Sequence, residues 1–217
     1  MKKIILSICI IASVLVSENI TAMKERVYKE AYENALKGDA NAQFALGGIY
    51  YHGMLTKKDY LEAIKWYKKA AKQGHTKAQF NLGYIYFDGR GVKKDHDEAL
   101  KWFLKAAKQN DAKSEIYVGR IYEEKKDYKN AFKWYSQIAN SGYPKVQYKL
   151  WQMYRDGKGV KKDLQKAIYY LIKSASQSYP DAQYDLGKLY LSGTGVEKDE
   201  IEGQKLLDLA RKNGYKE

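Results

Sequence analysis

Of the side chains that commonly do chemistry, three histidines have the widest range here, as metal ligands or as proton carriers near neutral pH. His52, His75 and His96 stand 23 and 21 residues apart. None has another histidine or a cysteine at the short spacing that builds a metal site. His96-Asp97-Glu98 opens a helix in which Glu98 has a capping task. No Ser-x-x-Lys and no nucleophile elbow occurs, and each Gly-x-Gly stands where a turn is needed. The sequence is therefore read as having no catalytic residue, no metal and no cofactor. Its lysines are more ordered: Lys57-Lys58-Asp59, Lys93-Lys94-Asp95, Lys125-Lys126-Asp127 and Lys161-Lys162-Asp163 recur at one place in successive units. If those units stack, the eight lysines form a basic edge suited to anionic lipid, an envelope polymer or an acidic protein. The same pattern also follows from exposed, solubilising turns in which each aspartate caps the next helix.

The elements that would position these residues form a repeat. Leu46-Gly47-Gly48-Ile49-Tyr50, Leu82-Gly83-Tyr84-Ile85-Tyr86, Val118-Gly119-Arg120-Ile121-Tyr122 and Leu186-Gly187-Lys188-Leu189-Tyr190 share one pattern. The steps from Gly47 to Gly83, Gly119, Trp151 and Gly187 are 36, 36, 32 and 36 residues. A fixed period of this size marks a unit that buries its apolar face by stacking on its neighbours. In the second unit Ala78, Leu82, Ile85 and Tyr86 keep helical spacing until Gly89-Arg90-Gly91-Val92 stops the helix. Asp95 with Glu98 reads as a capping box for a second helix, which carries Ala99, Trp102, Phe103, Ala106 and Ala107. Gly83 and Ala99 are expected to let the two backbones approach, with Tyr86 and Trp102 filling the flanks. Tyr50, Tyr86, Tyr122, Tyr154 and Tyr190 read as core positions. The third unit lacks the Gly-x-Gly-Val turn, and the fourth has Trp151 where its siblings have glycine. Together these point to a hinge or a change of curvature between Tyr122 and Trp151, or else to a locally repacked, rigid stack.

Residues 24–37, with Val27, Ala31 and Ala35 on one face, read as a helix covering the first unit. The last helix, with Gly203 and Leu206 in place of alanine and tryptophan, reads as a solvated cap. At the front, Lys2 and Lys3 precede an apolar run from Ile4 to Val16, and Ala22 is a candidate cleavage point, the layout of a removable export leader. The run falls short of the ~20 residues that span a bilayer as a helix. Cys9, the single cysteine, is an ordinary member of that run, so the remainder would hold together by packing without disulfides. The net charge is +13, and removing residues 1–22 leaves 37 basic against 25 acidic residues, or +12. Partners are expected to be acidic or neutral, and export sets nucleic acid aside. The domain reading is a leader at 1–22, a capping helix at 23–38 and a repeat array at 39–217, with units at about 39–75, 76–111, 112–143, 144–179 and 180–215.

Ala-x-x-x-Leu-Gly-x-x-Tyr, the Gly-x-Gly-Val turn, an aspartate, then Ala-x-x-Trp and Ala-Ala-x-x-Gly resemble the Sel-one-like repeat, a cousin of the tetratricopeptide repeat, from about Asp39 to Tyr215. The resemblance implies an all-α solenoid of about five stacked helix-turn-helix repeats. It also implies an adaptor or scaffold for a protein or peptide partner, of a kind often exported in bacteria and sometimes involved with the envelope or a host. With both array ends capped and no catalytic motif, the chain is expected to be a monomeric, non-enzymatic scaffold, periplasmic or secreted. In related arrays the concave groove is lined by first-helix positions, which here hold Tyr51, Tyr84, Phe87, Tyr117, Arg120, Lys149, Gln152, Arg155, Asp185 and Lys188. Rings mixed with Arg and Lys on such a face suit an extended peptide; the alternative is that they pack between neighbouring helices. The functional alternative is direct binding of an anionic envelope polymer or lipid through the basic edge.

Overall fold

The computed structural model describes residues 2–216, with side chains from residue 19 onward. Among these residues every regular element is a helix, and the chain forms the expected all-α repeat architecture. It divides into two compact units, Met1–Gln109 and Asn110–Glu217. The first holds α1 (Lys2–Leu36), α2 (Ala40–His52), α3 (Tyr60–Lys72), α4 (Thr76–Asp88) and α5 (His96–Ala107). The second holds α6 (Ala112–Glu124), α7 (Tyr128–Gln137), α8 (Pro144–Asp156), α9 (Leu164–Ser176), α10 (Pro180–Ser192) and α11 (Glu200–Lys212). No helix among the described residues is long and apolar enough to cross a membrane. The expected leader boundary at Ala22 falls inside α1, and most of the leader, Cys9 included, lies outside the residues whose side chains are described.

One hairpin is built five times. The first helix of four hairpins ends on a glycine in the left-handed region, Gly53, Gly89, Gly157 or Gly193, where a Cβ would be strained. Each turn is then closed by the backbone N–H of the capping aspartate, which donates to the carbonyl of the repeat tyrosine. The five bonds are Asp59 to Tyr50, Asp95 to Tyr86, Asp127 to Tyr122, Asp163 to Tyr154 and Asp199 to Tyr190, at 2.8–3.1 Å. The third hairpin makes this bond without the glycine turn, with Lys126 taking a left-handed φ of 62°. The aspartate side chains then accept the free N–H groups of the next helix's first turn. The capping box at Asp95 is only half formed. Asp95 accepts from Asp97 and Glu98, while the Glu98 carboxylate takes a 2.7 Å bond from the Trp102 indole instead.

The repeat glycine does something different from what the sequence suggests. A Cβ on Gly83 would stand 2.6 Å from the Phe103 ring, and one on Gly47 or Gly119 equally close to Tyr67 or Tyr135. In these three hairpins the glycine makes room for the ring next to the tryptophan, more than for a neighbouring backbone. The fourth hairpin inverts the pair: Trp151 replaces the glycine, Leu171 replaces the ring, and both are buried in one cluster with Ala167 and Ile168. The exchange adds side-chain volume, yet both residues are buried, so the packing around this hairpin has adjusted to hold them. Trp151 is 3 % exposed, and its indole N–H is 3.3 Å from Asp185 Oδ2 on α10.

Within each unit, buried amides tie neighbouring helices together. Gln43 Nε2 donates to the Ala35 carbonyl at 3.1 Å while its oxygen accepts from Gln73 at 2.8 Å. Gln79 does the same between Ala71 and Gln109, and Gln147 between Ala139 and Gln177. Gln183 accepts from Asn213. At the front, α1 covers α2 through Tyr28, Ala31 and Ala35, and the Tyr28 and Tyr50 hydroxyls meet at 2.6 Å. Val27, expected on that face, is 42 % exposed.

Candidate functional site

In the first unit the first-helix face centres on Arg90, a residue the sequence assigns only to a turn. Its guanidinium donates to the hydroxyls of Tyr51 at 2.7 Å and Tyr84 at 3.3 Å, and its Nε to Asp88 at 2.6 Å. Tyr51 and Tyr84 are thereby brought together, and with His52, Asn81 and Arg90 they line a depression of about 300 Å³. Burial raises the Tyr51 pKa although Arg90 pulls it down, so the hydroxyl keeps its proton. Phe87 departs from expectation. It is 5 % exposed, stacked on the His96 ring at 5.2 Å with Lys94 Nζ 5.3 Å from its centre, so it supports the hairpin rather than lining a groove.

In the second unit Tyr117, Arg120 and Lys149 converge on a larger cavity of about 600 Å³ between α6 and α8, above Tyr135 of α7. Ile116 and Val146 add apolar wall, and Lys145, Glu123 and Glu124 add charge. Glu123 is the hub: it accepts from the Tyr135 hydroxyl at 3.1 Å and from Lys149 Nζ at 2.9 Å, while Arg120 Nε reaches Glu124 at 3.2 Å. Burial and the Glu123 charge both raise the Tyr135 pKa, which keeps that hydroxyl a donor. Glu123 occupies the repeat position held by Tyr51 and Phe87 in the first unit. A short carboxylate where a ring would stand leaves the space open. Sequence reading missed Glu123, Glu124, Lys145 and Tyr135; the available signal was that loss of a ring at a repeating position.

The remaining expected groove residues lie toward α10. Asp185 accepts from the Tyr148 hydroxyl at 2.8 Å as well as from Trp151. Arg155 lies 5.1 Å over the Trp151 ring and pairs with Asp156 at 2.8 Å, and Lys188 lies 5.4 Å over Tyr184. Gln152 is half-buried on α8. All eight lysines of the proposed edge are exposed: Lys57, Lys58, Lys93 and Lys94 in the first unit, Lys125, Lys126, Lys161 and Lys162 in the second. The histidines are dispersed. His75 caps α4 through Nδ1, 3.2 Å from the Ala78 N–H, and His52 sits edge-on to Tyr51. Among the described residues no group of three or more His, Cys, Asp or Glu could hold a metal ion.

Repeated helical hairpins whose first helices present rings and charges define an α-helical repeat protein. The chain belongs to the Sel1 repeat family, whose repeat is matched at residues 40–75, 76–111, 114–143, 144–179 and 180–215. Among solved structures it is similar to a Sel1 repeat protein from Oxalobacter formigenes, at 30% identity and a TM-score of 0.74 over 88% of this chain and 56% of that one. It is also similar to a protective antigen of uropathogenic Escherichia coli strains with an SLR fold, at 32% identity and a TM-score of 0.70 over 87% of this chain and 44% of that one. A putative sel1-like repeat-containing protein of Acanthamoeba polyphaga mimivirus shares 51% identity over 39 residues, 18% of this chain and 7% of that protein. The chain thus spans little more than half the length of these relatives, or less. Sel1 repeat proteins are generally protein-interaction scaffolds and generally non-catalytic.

Proposed function

We propose that this protein is an exported, non-enzymatic adaptor that holds an extended segment of an acidic or neutral protein partner on the first-helix faces of its units. The cavity between α6 and α8 carries the reading, because its apolar walls and its charged rim, in which Arg120, Lys145 and Lys149 outnumber Glu123 and Glu124, suit a side chain anchored beside an acidic group. Export is supported by Lys2 and Lys3 ahead of the apolar run Ile4 to Val16, and similarity to a protective antigen is in keeping with it. A second reading is direct attachment to an anionic envelope polymer or lipid; the exposure of all eight edge lysines favours it.

The test is co-purification from the protein's own cells after mild cross-linking, with three forms compared. One is unaltered, one carries Tyr117→Ala with Arg120→Ala, and one carries Lys93, Lys94, Lys161 and Lys162 each changed to Glu. The adaptor reading expects a stoichiometric protein kept by the lysine form and lost by the cavity form. Recovery of polymer or lipid alone, lost in the lysine form, replaces it with the second reading.

A further inference from the structure

The five hairpins are internal references for one another, and the outer face of the fourth repeat's second helix departs from that of repeats one, two and five. On the second helix of repeats one, two and five the solvent face carries a glutamate followed three residues later by a lysine, paired as Glu62 with Lys65, Glu98 with Lys101 and Glu202 with Lys205. In the fourth repeat these two positions are Lys166 and Tyr169 on α9, and Ile172 follows on the same stripe. Tyr169 is 51 % exposed and Ile172 43 %, while the hairpin's own core is served by Ala167, Ile168, Leu171 and Ala175. Lys173 lies 4.7 Å over the Tyr169 ring, and exposed Lys161, Lys162 and Lys166 continue the basic rim.

A complementary departure lies beside it in the same unit. Gly195, in the turn leading to α11, is packed against Leu164 and Ile168 of α9. Where earlier repeats read Lys-Lys-Asp, the fifth reads Glu197-Lys198-Asp199 and continues Glu200-Ile201-Glu202. Ile201 is 84 % exposed and stands in repeat register with Gln165, one turn before Tyr169. An apolar tip with an acidic rim and an apolar patch with a basic rim therefore share one side of this unit.

We propose that this side binds a second copy of the chain, with the Ile201 tip of each copy on the Tyr169–Ile172 patch of the other. A two-fold contact requires one surface to carry both halves of a complementary pair, and the α9 and α11 outer faces do. The pairs Lys166–Asp163 at 3.4 Å and Lys198–Glu200 at 2.7 Å are local and reach solvent, and such pairs give way readily to a closer match. The net charge of +13 opposes association, which makes the dimer a concentration-dependent one. The sequence-based expectation of a monomer rested on capped array ends; this surface is on a flank. It does not depend on what the first-helix faces bind.

The experiment places a photo-reactive benzoylphenylalanine at Tyr169 in the full chain, at about 0.1 mM, where even modest affinities are populated. A mixture of isotopically light and heavy chains is used. The expected product has twice the chain mass, carries both labels, and joins position 169 to a peptide containing Ile201. A second probe at Ile201 is then combined with Lys166→Glu and Tyr169→Lys, which restore the sibling ion pair on a face already solvated. That form is expected to lose the dimer product about ten-fold, as when a central interface aromatic is removed. Absence of a dimer-mass product, attachment elsewhere or to a foreign protein, or a yield from Ile201 that the double substitution leaves unchanged would each overturn the proposal.

Discussion

Gly83 and Phe103 share one space, and a change at either is felt by the other. Gly83→Ala puts a methyl 2.6 Å from the buried ring, so it is expected to lower stability by about 1–3 kcal/mol, as overpacking does. Adding Phe103→Leu copies the leucine that stands opposite Trp151 and is expected to recover part of the loss. A double-mutant cycle from urea midpoints measures the coupling, and simple additivity would refute the shared-space account. His75 gives a pH signature. Its Nδ1 accepts the α4 cap bond and the ring stacks on Phe44 at 4.5 Å, while burial holds its pKa below the ordinary 6.5. The cap needs the neutral ring, so its contribution is fully present above pH 6.5 and is lost as pH falls through the depressed folded value. His75→Asp, the residue found at the equivalent caps Asp39 and Asp111, is expected to remove that pH dependence from urea midpoints between about pH 5 and 7.5.

At the scale of the element, the turn after each second helix needs a left-handed residue. Gly74, Gly142 and Gly214 supply it in three repeats, and Asn110 and Ser178 hold φ near 61° in the other two. Ser178→Gly is expected to raise the thermal midpoint, with a gain of up to about 1 kcal/mol, since only glycine takes this conformation without a Cβ clash. Between Tyr122 and Trp151 the two sequence irregularities are packed over: the turn keeps its Asp127-to-Tyr122 bond, and Trp151 is buried and hydrogen-bonded. Amide exchange across residues 119–155 is expected to be protected as well as in the flanking hairpins; a weakly protected stretch there would reveal a hinge. Helices and caps were legible in the sequence because each leaves a local mark, a 3.6-residue period or an aspartate at a helix start. Side-chain reach across elements leaves no such mark. Nothing near Arg90 announces that it turns back to Tyr51, 39 residues away, or near Glu123 that it meets Lys149. The glutamine relay was hidden for another reason. Gln43, Gln79, Gln147 and Gln183 recur at the repeat spacing, but a search for apolar periodicity passes over buried amides.

For the whole molecule, the basic edge is separable from the fold. Changing Lys93, Lys94, Lys161 and Lys162 to Glu takes the net charge from +13 to +5, and all four side chains are exposed. Thermal unfolding is expected to stay within about 0.5 kcal/mol per site of the unaltered protein, the usual range for surface changes. Retention on vesicles rich in anionic lipid is expected to fall sharply; equal retention would take the edge out of any lipid role.

The inverted pair at Trp151 and Leu171 also limits how such a chain can be rebuilt. Moving α8 alone beside a helix like α5 would set Trp151 against a second large ring, which a close-packed interior has no room for. A whole hairpin carries both members of its pair and escapes that clash. Recombination, whether in a genome or in the laboratory, is therefore free to cut this array between hairpins and penalised for cutting within them.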